Sequence, residues 1–399
     1  MKIGIMGAPV NNSNHGCVAL LYSLLHTLSE IEKEDNETFE YIVFDWKYNE
    51  ESIHMMSDLL HIDSSKIKFA PYVLKNDIIR LAYHMKDYIK MKAAIKSCDC
   101  IIDVTEGDSF SDIYGDAWLT GRTRVKLLVE RLGVPLILAP QTYGPYLKEE
   151  NKEMAAQSIK GASAVMTRDI QSQELIKSIA GVDSVYTTDL AFALPYAEYN
   201  IKATDKIKIG INASNLLYFS SEMKERKFTL TVDYKKYLEG LMNRIYESDR
   251  YEVYFISHVD GDYEVHKILK EMYPQAKLMP IFKNPVEAKS CIGKMDIFIG
   301  ARMHGTIAAF TREVACIPNA YSPKFSGLFK SLGYDTLVDL AALSTEDAIN
   351  RTIEYIEQYK ELGEKIKLCL INNSDIIQGT KNYLKKYIES LKNADEKLH

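Results

Sequence analysis

A predicted strand-to-helix turn late in the chain carries residue types suited to binding an anion and transferring a proton. Residues 300–306 read GARMHGT, and they follow the predicted strand Asp296–Gly300 and precede a helix-like run. An arginine beside free backbone amides binds carboxylate or phosphate well, because its guanidinium contacts two oxygens at once. A histidine there can exchange a proton with a bound substrate. We therefore expect Arg302 to bind an anionic donor and His304 to act as an acid. The alternative is a buried ion pair with a capping histidine.

Two more cations follow other predicted strands. Arg168 follows the strand Ala164–Thr167, and Lys324 follows the strand Ala315–Ala320. Ligands of open α/β sheets bind at the carboxyl ends of the strands, so both cations are candidates to bind the same anionic donor. The alternatives are a local ion pair for Arg168 and a solvated surface group for Lys324.

The loop after the first predicted strand offers small polar groups to a ligand. Residues 11–21 read NNSNHGCVALL, and within them Asn14 and Gly16 are candidate donor-binding positions at the start of a helix. The alternative is plain N-capping by Ser13 or Asn14. The loop lacks the GxGxxG spacing, so no dinucleotide fingerprint is present.

An acidic loop follows the predicted strand Cys100–Val104. Residues 103–112 read DVTEGDSFSD. Carboxylates commonly bind hydroxyl-rich sugars, so Glu106 and Asp108 are candidate acceptor-binding residues. Asp108 or Asp112 is the candidate base that takes a proton from an attacking hydroxyl. The alternative is a solvated acidic loop, and a metal site is less favoured because no histidine is interleaved.

Three further residues are candidates for contact with a sugar. Gln141 and Tyr143 lie in the run PQTYGPY at 140–146, where a tyrosine offers a flat face to a ring. His258 ends a later strand. The alternatives are a rigid turn in the first case and a satisfied surface group in the second.

The elements that must position these residues alternate between strand and helix. Continuous apolar strand runs are typical of parallel strands covered on both faces, and the alternation predicts an α/β fold with doubly wound sheets. The pattern pauses near residue 195 and restarts at Lys206. We therefore predict two Rossmann-like domains facing a cleft, residues 1–200 on the acceptor side with Arg168 at the cleft, and residues 201–399 with the RMH motif and the C-terminal helices. The predicted strands are Lys2–Met6, Tyr41–Phe44, Cys100–Val104, Pro135–Ala139, Ala164–Thr167, Ile207–Asn212, Val253–Ser257, Lys277–Met279, Asp296–Gly300 and Ala315–Ala320. The predicted helices are Ala19–Glu30, Asp77–Lys96, Asp116–Leu132, Lys235–Glu247 and Ser344–Tyr359.

Composition narrows the classes of function. The 399 residues include 49 basic and 55 acidic side chains, for a formal net charge of −6. This balance argues against generic nucleic-acid binding, and no apolar run approaches the length of a membrane span. The six scattered cysteines suit reduced cytosolic thiols. We expect a cytoplasmic protein with no metal and no cofactor.

Taken in order, these motifs resemble the polysaccharide pyruvyl transferase family over roughly residues 1–335. The resemblance implies a fold similar to the GT-B glycosyltransferases. It also implies transfer of a pyruvyl group from phosphoenolpyruvate, as co-substrate, to two hydroxyls of one sugar, with release of phosphate. His304 would be the general acid, and Arg168 and Arg302 would hold the donor; galactose is the first expectation for the acceptor. The matching pieces are NHG at 14–16, GDSFSD at 107–112, PQTYGP at 140–145, TRD at 167–169, TDLAF at 188–192, GARMH at 300–304 and YSPK at 321–324.

Two basic, aromatic runs suggest contact with a membrane surface. Residues 76–96 and 381–387 interleave lysines with tyrosines, as do helices that lie on anionic lipid at the inner face of a membrane. Such contact would suit a lipid-pyrophosphate-linked sugar acceptor. The alternative is an amphipathic helix packed on its own domain.

Two other functions fit the same residues. A GT-B-type glycosyltransferase would place the cations on the pyrophosphate of a nucleotide sugar. A non-catalytic sugar-binding protein would keep the site without turnover.

Overall fold

The structure is a computed structural model that describes residues 1–45, 50–74, 84–220 and 230–396, without the side chains of Pro323, Lys324 and residues 394–396. It contains two compact units. The first unit comprises Met1–Asn12, Leu20–Ala193 and Asp375–His399, and the second comprises Ser13–Ala19 and Leu194–Ser374.

The first unit is built on a seven-stranded parallel sheet. Its strands are β1 (Lys2–Met6), β2 (Glu40–Phe44), β3 (Ile67–Ala70), β4 (Cys100–Asp103), β5 (Leu136–Gln141), β6 (Ala164–Thr167) and β7 (Val185–Tyr186), in the order β3-β2-β1-β4-β5-β6-β7. The central strands are buried along their whole length, as their continuous apolar runs predict. The helices are His15–Glu34, Glu50–Leu60, Met85–Lys96, Asp116–Arg131, Glu149–Gly161, Ile170–Ala180 and Gly379–Glu396, with short 3-10 turns at Ser64–Lys66, Asp112–Tyr114 and Leu190–Ala193.

The second unit repeats this architecture with six parallel strands. These are β8 (Ile207–Asn212), β9 (Tyr251–Phe255), β10 (Lys277–Leu278), β11 (Ile297–Gly300), β12 (Ala315–Ala320) and β13 (Val338–Asp339), in the order β10-β9-β8-β11-β12-β13. Its helices are Asn215–Tyr218, Tyr234–Ile245, Asp262–Met272, Pro285–Ile292, Met303–Thr311, Pro323–Ser331, Thr345–Glu357 and Tyr359–Asn372, and the short helix Ser374–Ile377 begins at its last residue and continues into the first unit.

Strand order reverses once in each sheet, and the reversal marks where a ligand site is expected. The chain winds outward from β1 through β2 to β3 and then returns to β4 beside β1. In the second unit β11 returns to lie beside β8 in the same way, with Gly300 opposite Asn212. Ligands of open α/β sheets bind outside the carboxyl ends of the strands at such a switch point. The GARMHGT turn begins at that point in the second unit.

The C-terminal helix differs from its predicted place in the second domain. Lys381 donates to Glu30 and Glu34 on the helix His15–Glu34, and Lys385 pairs with Asp35 just beyond it. These opposite charges hold the helix against the first unit. Two of the three lysines that suggested a membrane surface at residues 381–387 thus form ion pairs within the fold.

Two other predictions need qualification. The segment Ser13–Ala19 belongs to the second unit, although it lies within predicted domain 1–200, because its backbone pairs with the strand-end segment beyond β9. Of the predicted helix Asp77–Lys96, only Met85–Lys96 falls among the described residues, and Met91 and Ile95 face the core there. The described residues contain no helix both long enough and apolar enough to cross a membrane.

Candidate functional site

The GARMHGT turn of the second unit places Arg302 and His304 at the start of a helix. Arg302 is the N-cap of the helix Met303–Thr311, and its carbonyl accepts the Thr306 amide at 3.0 Å. Gly300 is required at the end of β11, since a Cβ there would lie 2.5 Å from Thr306 Cγ2. Arg302 makes no side-chain capping hydrogen bond to this helix, and a helix N-terminus favours an anion.

The guanidinium of Arg302 is fixed by a buried carboxylate. Its Nε donates to Asp262 Oδ2 at 3.0 Å, and its Nη2 donates to Asp262 Oδ1 at 2.7 Å and to Asn215 Oδ1 at 2.8 Å. Burial alone would lower the pKa of Arg302, but Asp262 raises it overall. From the sequence, a buried ion pair is the alternative to anion binding by Arg302. That ion pair is present, and it occupies two of the three guanidinium nitrogens. Nη1 makes no hydrogen bond to the part of the chain that the structure describes, and the side chain is 17 % exposed.

Three imidazoles gather beside Arg302. The His15 amide donates to the His258 carbonyl at 3.2 Å, and the two rings meet edge-on with centroids 6.1 Å apart. Burial, then the neighbouring His15, His304 and Arg302, hold the pKa of His258 well below its usual value. Burial also lowers the pKa of His15, against the attraction of Asp260. His15 and His258 are therefore neutral at pH 7 and can act as hydrogen-bonding neighbours of His304.

Gly16 allows His304 its position. A Cβ on Gly16 would lie 2.3 Å from Nδ1 and 2.8 Å from Cγ of His304, so any side chain there would collide with the imidazole. The Asn14 side chain accepts the Gly16 amide at 3.0 Å, which shapes the loop around this contact. The structure thus brings Asn14 and Gly16, expected at a donor site, beside the candidate acid.

Arg168 occupies a more enclosed place in the first unit. Its Nη1 pairs with Asp189, its Nε donates to Thr142 Oγ1 at 2.9 Å, and its side chain is 4 % exposed. Burial opposes the charge, but Asp189 and then Asp108 raise the pKa of Arg168 overall. A Cβ on Gly107 would lie 2.9 Å from Nη1 of Arg168, which explains a glycine at that position of the GDSFSD run.

Glu106 and Asp108, which are predicted to bind the acceptor, lie together on the loop after β4. Glu106 accepts from Arg122 Nη2 at 2.7 Å, and Asp108 accepts from the Tyr114 hydroxyl at 3.0 Å. Both side chains are partly accessible. Arg122 and Tyr114 were not singled out by sequence reasoning.

Asp112 was predicted as an alternative base, and the structure gives it a structural role instead. Its carboxylate accepts the amides of Leu147 and Lys148 and the side-chain amide of Asn151. Burial would raise the pKa of Asp112, but these hydrogen bonds lower it overall. A buried carboxylate with several donors is a poor proton acceptor, so Asp112 holds two segments together.

Gln141 and Tyr143 also differ from their expected role in binding a sugar. Tyr143 packs edge-on against Phe110 with centroids 5.7 Å apart, and its hydroxyl donates to the Met166 carbonyl at 3.2 Å. Gln141 is fully buried at the end of β5. Both belong to the core because the chain continues β5 two residues beyond its predicted end at Ala139.

Two further predicted residues have different outcomes. His258, expected to bind an acceptor, is a buried member of the histidine group. Lys324 lies in the helix Pro323–Ser331, but its side chain is outside the described residues.

Sequence reasoning missed His15, Asp262 and Asn215 as site residues. His15 could have been found, because it lies between Asn14 and Gly16 in the loop motif at residues 11–21. No sequence pattern marks Asp262 or Asn215, because they contact Arg302 from 40 and 87 positions away. Among the described residues no group of three or more His, Cys, Asp or Glu side chains is arranged to hold a metal ion.

Comparison with known proteins gives one family match and many structural matches. The family model of polysaccharide pyruvyl transferase matches residues 14–323. A Listeria monocytogenes protein described as a UDP-N-acetylglucosamine 2-epimerase is 12% identical with TM-score 0.65, covering 98% of this chain and 95% of its own. The Neisseria meningitidis UDP-GlcNAc 2-epimerase bound to UDP-GlcNAc is 12% identical with TM-score 0.58, and the match covers 98% of this chain and 99% of that one. An Anabaena protein in complex with UDP and glucose is 11% identical with TM-score 0.58, and the match covers 98% of this chain and 100% of that one.

Because these structures are only 11–12% identical to this chain, they give evidence about its fold and not about its activity. They confirm the GT-B-like fold class with two Rossmann-like domains that the sequence predicts.

Proposed function

We propose that this chain, which belongs to the polysaccharide pyruvyl transferase family, moves the pyruvyl group of phosphoenolpyruvate onto two hydroxyls of one sugar and releases phosphate. Membership of the family makes the chain a transferase. The observation that carries the proposal is the pairing of Arg302 and His304 in one helical turn at the switch point of the second unit. An anion receptor and an imidazole side by side suit an acid-catalysed reaction of an anionic donor.

The charge of the donor explains the cations. Phosphoenolpyruvate carries a carboxylate and a phosphate, and Asp262 already neutralises much of the charge of Arg302. A single paired arginine with a helix N-terminus is a weak receptor for such an anion. We therefore propose that Arg168 and Lys324 also bind the donor, with Asn14 and Gly16 shaping the loop beside it.

His304 is the proposed general acid. It protonates the methylene carbon of phosphoenolpyruvate, which turns the adjacent carbon into an oxocarbenium-like centre. One sugar hydroxyl adds to that centre and gives up its proton, with Asp108 as the proposed base. The carbon–oxygen bond to phosphate then breaks, and the second hydroxyl adds to close the cyclic ketal. One hydroxyl proton replaces the proton donated to carbon and the other leaves with phosphate, so the atoms balance.

The acceptor is proposed to be a galactose residue in the precursor of a capsular or other cell-surface polysaccharide. Glu106 and Asp108 are the proposed acceptor-binding residues in the first unit. A lipid-pyrophosphate-linked acceptor would bring the protein to the inner face of the cell membrane, and the exposed Met85 and Ile89 beside the lysines of the helix Met85–Lys96 are the observation that favours such contact.

A second candidate function is a GT-B-type glycosyltransferase that uses a nucleotide sugar. The observation that favours it is the set of UDP complexes among proteins of similar fold. The family match favours the first proposal, since it covers residues 14–323 of the chain.

The decisive experiment measures phosphate release from phosphoenolpyruvate with galactosides, mannosides, N-acetylmannosaminides and glucosides as acceptors. Mass analysis of the product would show the added ketal. We expect phosphate release that depends on one acceptor class, and thermal stabilisation by phosphoenolpyruvate. Stabilisation by UDP- or GDP-sugars but not by phosphoenolpyruvate would contradict the proposal and favour the glycosyltransferase.

A further inference from the structure

Two large aromatic side chains are exposed together beside the acidic loop of the first unit. Tyr114 ends the 3-10 turn Asp112–Tyr114, and Trp118 lies in the first turn of the helix Asp116–Arg131. They are 46% and 39% exposed, with ring centroids 6.3 Å apart and ring planes tilted by 50° to each other. Rings of this size are normally buried, and an exposed aromatic pair is typical of a binding surface.

The pair is held rigidly from one side. The Arg122 guanidinium carbon lies 3.5 Å from the centroid of the Trp118 ring, so it covers one indole face. Arg122 is itself buried and donates from Nη2 to Glu106 at 2.7 Å. That face of the indole is therefore closed to a ligand. The buried Nε of Arg122 has no hydrogen-bond partner among the described residues.

The backbone that presents the carboxylates is strained. Thr105 and Glu106 have φ of 44° and 53°, and Gly107 follows with φ of 82°. A β-branched residue in the left-handed region is an outlier, and such residues cost about 1–3 kcal/mol each. The buried Lys126 holds the turn by donating to Thr105 Oγ1 at 2.6 Å and pairing with Asp103 at 2.8 Å. Strain retained in this way is concentrated at ligand-binding sites.

We propose that Trp118, with the tilted Tyr114 ring beside it, forms a stacking platform for a pyranose ring of the acceptor, with Asp108 and Glu106 accepting hydrogen bonds from its hydroxyls. The identification of the ligand as the acceptor rests on the proposed transferase function, whereas the binding of a sugar does not. A pyranose offers an apolar C–H face to the rings and hydroxyl donors to the carboxylates at their border.

The charges around the platform select among ligands. Arg122 is neutralised by Glu106, and Asp108 accepts from the Tyr114 hydroxyl, so carboxylates border the rings. Asp116, at the start of the same helix, pairs with Lys148. Glu106 and Asp116 are thus matched by cations, and Asp108 makes no ion pair within the described part of the chain, so the border of the rings favours an uncharged ring over a phosphate.

The platform is continuous with the contacts of Arg168. Gly107, between Glu106 and Asp108, is the residue whose Cβ would lie 2.9 Å from Nη1 of Arg168. In the strained turn, Gly107 contacts the proposed donor-binding residue Arg168. Glu106 and Asp108, the proposed acceptor-binding residues, lie on either side of Gly107. A sugar stacked on the rings would lie next to the part of the first unit expected to bind phosphoenolpyruvate.

Tryptophan fluorescence tests the platform directly. The chain has two tryptophans, and Trp46→Phe would leave Trp118 as the sole reporter. The probes are the methyl glycosides of galactose, mannose, N-acetylmannosamine and glucose, with UDP and phosphatidylglycerol vesicles as competing ligand classes. We expect a saturable change in emission with at least one glycoside. A change with UDP or with the vesicles and none with any glycoside would overturn the proposal.

Kinetics in the full chain gives the second test. We expect Trp118→Ala to raise the acceptor KM by about tenfold, with the KM for phosphoenolpyruvate unchanged, and Trp118→Phe to restore most of the loss. Tyr114→Phe removes the hydrogen bond to Asp108 but keeps the ring, and it should have a smaller effect than Tyr114→Ala. Leu147→Ala is the matched control, because Leu147 is 73% exposed near the same turn but lies outside the platform.

The outcomes separate this inference from the proposed function. An equal rise in acceptor KM for Leu147→Ala and Trp118→Ala, or no rise for Trp118→Ala, would overturn the platform with the transferase activity intact. If no acceptor supports phosphate release, the proposed function fails, and the emission change with glycosides still decides whether the platform binds a sugar. Thermal unfolding of each variant is the control for retention of the fold.

Discussion

Arg168 in the first unit and Arg302 in the second occupy comparable positions, but their surroundings differ. Each lies just beyond a parallel strand and pairs with a fully buried aspartate, Asp189 or Asp262. Around Arg168 the further charges are the carboxylates of Asp108 and Asp169, whereas around Arg302 the neighbours are imidazoles. We propose that the same kind of ion pair supports two different roles: hydrogen-bond acceptors for sugar hydroxyls in the first unit, and His304 as the proton donor in the second.

The strongest test of this contrast is His304→Ala. Removing a positioned acid typically costs about 10²–10⁴ in rate, so we expect kcat for phosphate release to fall by that factor with the fold retained. His54→Ala is the control, since His54 is an exposed histidine on the helix Glu50–Leu60. Phosphate release by the His304→Ala protein at the wild-type rate would remove the proton-donor role from the second unit.

The next test compares the two ion pairs. Arg168→Ala and Arg302→Ala each leave a buried aspartate without its cation, which costs about 3–5 kcal/mol of stability. We expect the larger loss for Arg168, because its side chain is 4% exposed and that of Arg302 is 17% exposed. Urea unfolding measures both.

The double variants Arg168→Ala/Asp189→Ala and Arg302→Ala/Asp262→Ala provide the control. Each should recover part of the loss, since no unpaired charge stays buried. A larger loss of stability for Arg302→Ala than for Arg168→Ala would contradict the expectation that the more enclosed ion pair contributes more.

The third test uses the glycines that face the functional side chains. Gly16→Ala would place a Cβ 2.3 Å from His304 Nδ1, so the imidazole must move. A misplacement of about 1 Å can cost about 10²-fold in rate, and we expect a loss of kcat of that order with little change in stability. Gly181→Ala is a poor control because Gly181 has positive φ, whereas Gly327 has open space around its Cβ position. Gly327→Ala should therefore leave kcat unchanged, and an equal loss in both variants would contradict the steric role of Gly16.

Sequence reasoning succeeded where a motif lay next to a clear strand or helix signal. Arg302 and His304 were placed correctly at a strand-to-helix turn because the apolar run of β11 ends directly before them. Strands β3, β7 and β13 were missed; β7 and β13 have two residues each, too few to show periodicity, and β3 has only four, of which the first and last alone are buried. Tyr143 was misjudged because a tyrosine after a strand looks the same in sequence whether its ring enters the core or faces a ligand.

Partners distant in the sequence could not be predicted. Asp262 is 40 positions from Arg302, and nothing local marks it as the carboxylate that will meet the guanidinium. The same holds for Lys381 and Lys385, whose acidic partners lie about 350 positions earlier. Their spacing suggested a membrane-facing helix, and only the fold shows that acidic side chains neutralise them. Local patterns predict elements and turns, whereas charge pairing follows from topology.

The pH dependence of stability tests the effect of burial on a histidine of the second unit, His266. His266 donates or accepts at Ser257 Oγ, 2.8 Å away, and its Nε2 accepts the Ala213 amide. Burial lowers the pKa of His266 from 6.5 to about 4. Above pH 6.5 both the folded and the unfolded chain hold it neutral, so its contribution to stability is complete. As the pH falls from 6.5 towards 4, the unfolded chain binds a proton that the folded chain does not, and stability is lost.

The expected size of this loss is about 3 kcal/mol at most from His266 alone. Urea unfolding of the wild type and of His266→Gln at pH 7.5 and at pH 4.5 measures it. We expect the variant to lose less stability than the wild type between the two pH values. Equal losses in the two proteins would show that His266 is protonated in the folded chain or does not contribute.

The smallest expected effect concerns the C-terminal helix that joins the first unit. Lys381 contacts Glu30 and Glu34 on the helix His15–Glu34 at 3.2 Å and 2.6 Å. Exposed ion pairs contribute little and are screened by salt, so Lys381→Ala should lower the urea midpoint slightly at low salt and not at all on the order of 1 M NaCl. The charge-swapped double variant Lys381→Glu/Glu34→Lys should regain part of the low-salt midpoint. A loss that persisted in high salt would mean that Lys381 acts through packing of its aliphatic chain, and the helix would then be held to the first unit by apolar contact more than by charge.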